Sequence, residues 1–212
     1  MKLKSILINI VLFAVVVFLA IKVIQSIQAP INFNTEKSTR EAQVVQRLKD
    51  IRDAEIQYKQ ANSKFTASFD TLINFCSNYE IPIVNMIPDP EDTTFTKTIN
   101  DTIGYVKVLD SLFGKRHDFN IQNLGVVPFS DPATQFEIKD SIIKRGGISV
   151  PVFEVKTPYD VYLSQPGKKF TDKEWETRVN NLKAEMEQLE KYAGLKVGSL
   201  EEASTDGNWE KL

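Results

Sequence analysis

A chain of 212 residues with 42% apolar and 25% charged side chains has the composition of a folded protein, which argues against disorder. Its net charge of −2 includes Lys2, Lys4 and Lys22 in residues 1–30, where no acid occurs, so −5 is left on the remainder. An acidic domain without a basic stripe makes no nucleic-acid partner, and a single cysteine excludes an intrachain disulfide or a cysteine-built metal site.

Residues 6–24, ILINIVLFAVVVFLAIKVI, are almost wholly apolar. Nineteen residues at ~1.5 Å each cover about 28 Å, close to the hydrocarbon thickness of a bilayer. The expectation is a transmembrane helix over residues 6–27 that contacts lipid, with Lys22 snorkelling at its far end. A cleaved signal peptide fits less well. Cleavage after Ala29 or Ala20 places Ile27 or Phe18 at the position that wants a small residue. Lys2 and Lys4 before the span put residues 1–5 in the cytoplasm and the rest outside the inner membrane, in the periplasm of a Gram-negative cell.

Pro30 predicts the end of that helix, and residues 28–38 read as a linker into an outer domain over 39–212. Ser38 and Glu41 fit a capping box that opens an amphipathic helix. Val44, Leu48, Ile51, Ala54, Tyr58 and Ala61 form its apolar stripe, which ends at the Asn62-Ser63-Lys64 turn. Ser68 caps a shorter helix carrying Phe69, Leu72, Phe75, Cys76 and Tyr79, where Cys76 is expected to pack as a small buried hydrophobe. Residues 81–94, with Pro82, Pro88 and Pro90, read as irregular. Their acids lack the glycine and ligand spacing of a calcium loop.

Strands are expected at 95–99, 103–109 and 119–127. A hairpin joins 136–143 to 148–156 across Gly146-Gly147, which supply the positive φ of a tight turn, and Pro151 places its strand at an edge or bulge. Thr171 and Glu174 make a capping box for a helix over 172–193, stopped by Gly194. Trp175, Val179, Leu182, Met186 and Leu189 repeat along it at spacings of 4, 3, 4 and 3, and they are the candidates for contact with partners if that face is exposed. The fold class is α+β: a transmembrane helix, an amphipathic helix, and a small, mainly antiparallel sheet with a C-terminal helix packed on it.

No catalytic or cofactor signature is present. His117 is the only histidine and lies in the polar stretch Lys115-Arg116-His117-Asp118, and no glycine-rich phosphate loop opens a helix. Three function classes remain. The leading one is a non-enzymatic envelope protein that contacts other proteins and can oligomerise, which predicts an exposed apolar patch. A periplasmic ligand-binding or sensor module predicts a concave apolar pocket with a few convergent polar groups. A hydrolase with dispersed acids predicts perturbed carboxylates in a cleft.

The element order resembles the type IV pilin and type II secretion pseudopilin group. Tyr58, Asn62-Ser63-Lys64-Phe65-Thr66 and Phe69-Asp70-Thr71-Leu72 are similar to the segment where the long pilin helix ends. Pro158-Tyr159, Tyr162, Ser164 and Pro166-Gly167 are similar to the "Pro-Tyr-x-Tyr-x-Ser-Pro-Gly" stretch of major pseudopilins. Gly198-Ser199-Leu200 with Asp206-Gly207-Asn208-Trp209 resembles their calcium-binding ending. The resemblance implies a role in secretion or surface-structure assembly, and calcium ligands at Ser199 and Asp206. The chain departs from the group in lacking the glycine of the prepilin peptidase site and a glutamate before Glu36. That implies an unprocessed relative or a convergent envelope scaffold, not a filament subunit.

Overall fold

The computed structural model describes residues 2–88, 98–130, 134–167 and 169–210. Its spine is α1 (Lys2–Asn62), one continuous helix of 61 residues. The expected break at Pro30 and the non-helical linker over 28–38 do not occur, because Pro30 lies inside the helix. Proline costs an interior turn about 3 kcal/mol, yet packing holds the helix beyond it. Phe33 is buried, with its ring centroid 5.0 Å from that of Trp175. Arg40 is buried two turns further along the same face. Ser38 therefore caps no helix start, and Glu41 instead accepts from Tyr162 Oη at 3.1 Å and pairs with Lys37 at 3.3 Å.

The stripe on the second half of α1 is the centre of the core. Val44, Leu48, Ile51 and Ala54 have no exposed surface, and Tyr58 packs at its end against Phe75. After the turn at Ser63 (φ 60°), α2 (Phe69–Asn78) starts at Ser68, whose hydroxyl accepts from Thr71 N as expected. Phe69, Leu72 and Cys76 point inward. Cys76 is a buried thiol, and burial pushes its pKa up to about 12.

The chain then builds two small antiparallel sheets. β1 (Glu80–Pro88) pairs with β2 (Thr98–Lys107), which corrects the expectation of an irregular chain at 81–88. A two-stranded sheet is all edge, so prolines are tolerated in β1. Residues 89–94 of that expected loop and 95–97 of the first expected strand lie outside the described residues. The strand expected over 103–109 ends at Lys107, and Val108 opens the short helix α3 (Val108–Phe113). The strand expected over 119–127 is replaced by a 3-10 turn at Ile121–Asn123, capped by Asn120. Its buried residues Ile121, Leu124 and Val127 fall every third position, the period of a turn and not of a strand.

The second sheet has the order β3-β4-β5. β3 (Glu137–Arg145) and β4 (Ile148–Pro158) form the expected hairpin, closed by Gly146 and Gly147 at φ 58° and 83°. β5 (Gly194–Gly198) pairs with β4 only over residues 154–158 and lies against α1. Pro151 sits beyond that pairing, where one side of β4 is open. Apolar burial fades outward along the hairpin, from Phe153 at 0% exposure to Ile148 at 69%.

Two further helices close the head. α4 (Tyr159–Tyr162) is a single turn, and α5 (Asp172–Gln188) opens with the expected Thr171–Glu174 capping box. α5 stops five residues short of its expected end. Leu189 caps it, Glu190 adopts φ 53°, and Lys191 N bonds Met186 O. Gly194 is not its cap. It opens β5, where a Cβ would stand 2.2 Å from Thr157 O.

Candidate functional site

Three places bear on function: a charged cleft beside α1, the C-terminal loop, and the exposed apolar surface. The cleft has a volume of about 760 Å3 and lies between α1 and the chain from Arg116 to Ser130. At its base, buried Asp50 accepts from Arg116 Nη2 at 2.8 Å and from Gln46 Nε2 at 2.9 Å. The Arg116 guanidinium lies over Phe113 and Phe119, 5.2 and 4.6 Å from their centroids, and those two rings stack at 4.1 Å. Arg47 donates to Asn123 O. Burial lowers the pKa of Arg47, nearby Asp50 opposes that, and Arg116 adds to it. These bonds fasten the loop to α1. His117 lines the rim, exposed.

Nothing in the sequence pairs Asp50 with Arg116, because they are 66 residues apart. The available signal is position: Arg47 and Asp50 each precede a stripe residue, Leu48 and Ile51, on the edge of the buried face.

The most strongly perturbed carboxyl sits elsewhere. Glu55 is fully buried beside the α1–α2 turn, with Oε2 accepting from Thr66 N at 3.1 Å and Oε1 without a partner. Burial raises its pKa to about 8, the Thr66 N–H pulls it down, and nearby Asp140 raises it further. It is not among the residues that line the cleft.

At the C-terminal loop the structure brings Ser199 and Asp206 to one depression of about 250 Å3. Ser199 Oγ accepts from Glu201 N and Glu202 N, both at 3.2 Å, and Asp206 Oδ2 accepts from Ser204 Oγ at 2.9 Å. Calcium takes about six to eight oxygen ligands. Among the described residues no group of three or more acidic, histidine or cysteine side chains can hold a metal. Ser199 Oγ and Asp206 Oδ2 are thus both used in local turns. Asn208 ties this loop to β5 by accepting from Lys196 N and donating to Gly194 O.

The stripe on α5 faces inward. Trp175 and Val179 are buried, Leu182 and Met186 are half-buried against the core, and Leu189 alone is exposed, at 53%. Trp175 Nε1 donates to Leu163 O at 2.6 Å, and its ring faces Phe33 and Phe170. Apolar surface is exposed instead on the β1–β2 arm, at Ile83, Val84, Ile87, Ile103 and Tyr105, and at the end of the β3–β4 hairpin, at Ile142 and Ile148.

The first half of α1 is apolar and bare: none of its most apolar 18-residue window is buried. Among the described residues it is the one helix long and apolar enough to cross a membrane, and it fits a single-pass membrane protein. Comparison with protein-family models, with curated proteins and with solved structures found no match for the chain.

Proposed function

We propose that the protein is a non-enzymatic, single-pass envelope protein whose head works by contacting other proteins, as a pilin-like component of secretion or surface assembly. The observation that carries this reading is the continuity of α1. One helix is bare and apolar over its first half, and the core of the head is packed on its second half. Such a helix joins the span to the head without an intervening linker. The basic residues before the span favour a cytoplasmic N-terminus and a head in the periplasm.

Of the surfaces that separate the three function classes, the apolar patch is the one that stands out. Ile103 and Tyr105 on the arm are 65% and 67% exposed, and both strands of the arm have an unpaired edge. The charged cleft, by contrast, is walled by an ion pair that is already made. We therefore propose the arm, and not α5, as the contact surface.

A photoreactive residue at 103 or 105 in the full-length protein, in its native membrane, tests this. Adducts with secretion or pilus components at the arm, and none from a probe at Lys173, are expected. A probe that labels only lipid or nothing, with the protein recovered as a folded monomer, sinks the reading.

A further inference from the structure

A second cleft, of about 450 Å3, opens where α1 leaves the span and meets the head. One wall is α1 from Lys22 to Asn32, and the other carries Lys169, Phe170, Glu174 and Arg178. Lysine and arginine supply three cations here against one acid. Among the described residues none of the three forms a salt bridge; Lys22 Nζ and the Arg178 guanidinium rest on rings and interact with Glu174 only through space. Lys22 Nζ is 5.7 Å from the Phe18 centroid, while Arg178 is 5.9 and 5.7 Å from Phe33 and Phe170.

The acid is engaged: Glu174 Oε2 accepts from Thr171 N at 3.2 Å and from Thr171 Oγ1 at 2.9 Å, which closes the α5 capping box. The next acid along α1, Glu36, is bound to Arg40 at 3.0 Å. Glu174 keeps its negative charge beside Arg178 and Lys22, so three cations against one acid leave the cleft with a net positive charge.

Its depth is set by the span. If residues 6–24 fill the hydrocarbon, Lys22 lies at the outer boundary and Asn32 about 15 Å further out. The headgroup layer on one side is roughly 5–8 Å thick, so the cleft straddles it.

We propose that this cleft binds the headgroup phosphate of an anionic phospholipid in the leaflet facing the head, and so sets the head's tilt on the bilayer. The inference rests on the membrane-anchor reading above. Each cation near an anionic surface is worth about a fivefold preference.

The test uses the full-length protein in mild detergent, given equal phosphatidylcholine and phosphatidylglycerol, with retained lipid counted by native mass spectrometry. Phosphatidylglycerol is expected to be retained at least about fivefold more. Lys169→Gln and Arg178→Gln each reduce that preference about fivefold. Glu174→Gln, which can keep the capping box, raises it by a similar factor. Equal retention of the two lipids, or a preference that these variants leave unchanged, overturns the proposal. So does complete displacement by inorganic phosphate, which would mark a site for a free anion. Flotation with vesicles separates the two ideas. A chain that does not float removes the anchor and the proposal together, whereas one that floats without lipid preference removes the proposal alone.

Discussion

The two halves of α1 share a backbone and differ in what surrounds them. In the first half, Ile8, Leu12 and Phe13 are 64%, 64% and 70% exposed, and every face is apolar. In the second, four residues of one stripe have no exposed surface and the other faces are charged. A helix that is apolar all round needs a solvent, while a striped helix needs particular neighbours. Substitutions should therefore be judged by charge alone in the first half, and by charge, size and hydrogen bonding in the second.

The largest expected effect lies at Glu55, where the packed half buries a carboxyl. Its ordinary pKa of 4.5 rises to about 8 in the folded head. Below 4.5 both folded and unfolded chains hold the proton, and burial carries no ionisation penalty. Between 4.5 and about 8 only the folded chain holds it, so stability falls as pH rises, and above that range the loss is complete. The loss is on the order of 5 kcal/mol. Glu55→Gln keeps an acceptor for Thr66 N and cannot ionise. Denaturant unfolding at pH 9 should find the variant more stable than the parent, with the difference nearly gone at pH 4.5. Equal pH slopes would mean that Glu55 ionises without cost.

One chemical change then tests both halves. Leu48→Ala opens a cavity in the head core and should cost about 3 kcal/mol of head stability. Leu12→Ala removes the same atoms and should leave head melting unchanged, since Leu12 touches no part of the head core. A charge reverses the ranking. Val15→Arg at the middle of the span should cost about 3 kcal/mol of membrane insertion, seen as loss from the alkaline-washed membrane fraction, with the head melting as before.

The stripe, the two caps at Ser68 and Thr171, and the glycine turn at 146–147 are legible in the sequence because each is local. A helix period, a hydroxyl three residues before a free N–H and a positive φ all act within a few residues. Pro30 misleads because local preference argues for a break, and only Trp175, 142 residues beyond Phe33, shows that ring to be fixed. Residues 119–127 mislead because β-rich composition hides a three-residue period. Gly194 misleads because its need for a small residue comes from Thr157 across the sheet. The α5 stripe is legible as a stripe. Which way it faces depends on α1 and α4, elements that local spacing does not position.

Within the head the smallest expected effect on stability falls on the arm, and there the comparison between exposed and packed residues is sharpest. Tyr105 pairs across the strand with Pro82, at an exposed position with no core neighbour. Tyr105→Thr keeps a residue suited to a strand, so head unfolding should move by no more than about 0.5 kcal/mol. The same change removes the largest apolar side chain of the patch, and truncating an exposed aromatic anchor at an interface typically costs about 2 kcal/mol of binding. Cross-linking from residue 103 should then drop severalfold in a protein that melts like its parent. A melt that falls by as much as that of Leu48→Ala would show that the arm is held to the head and is not offered to a partner.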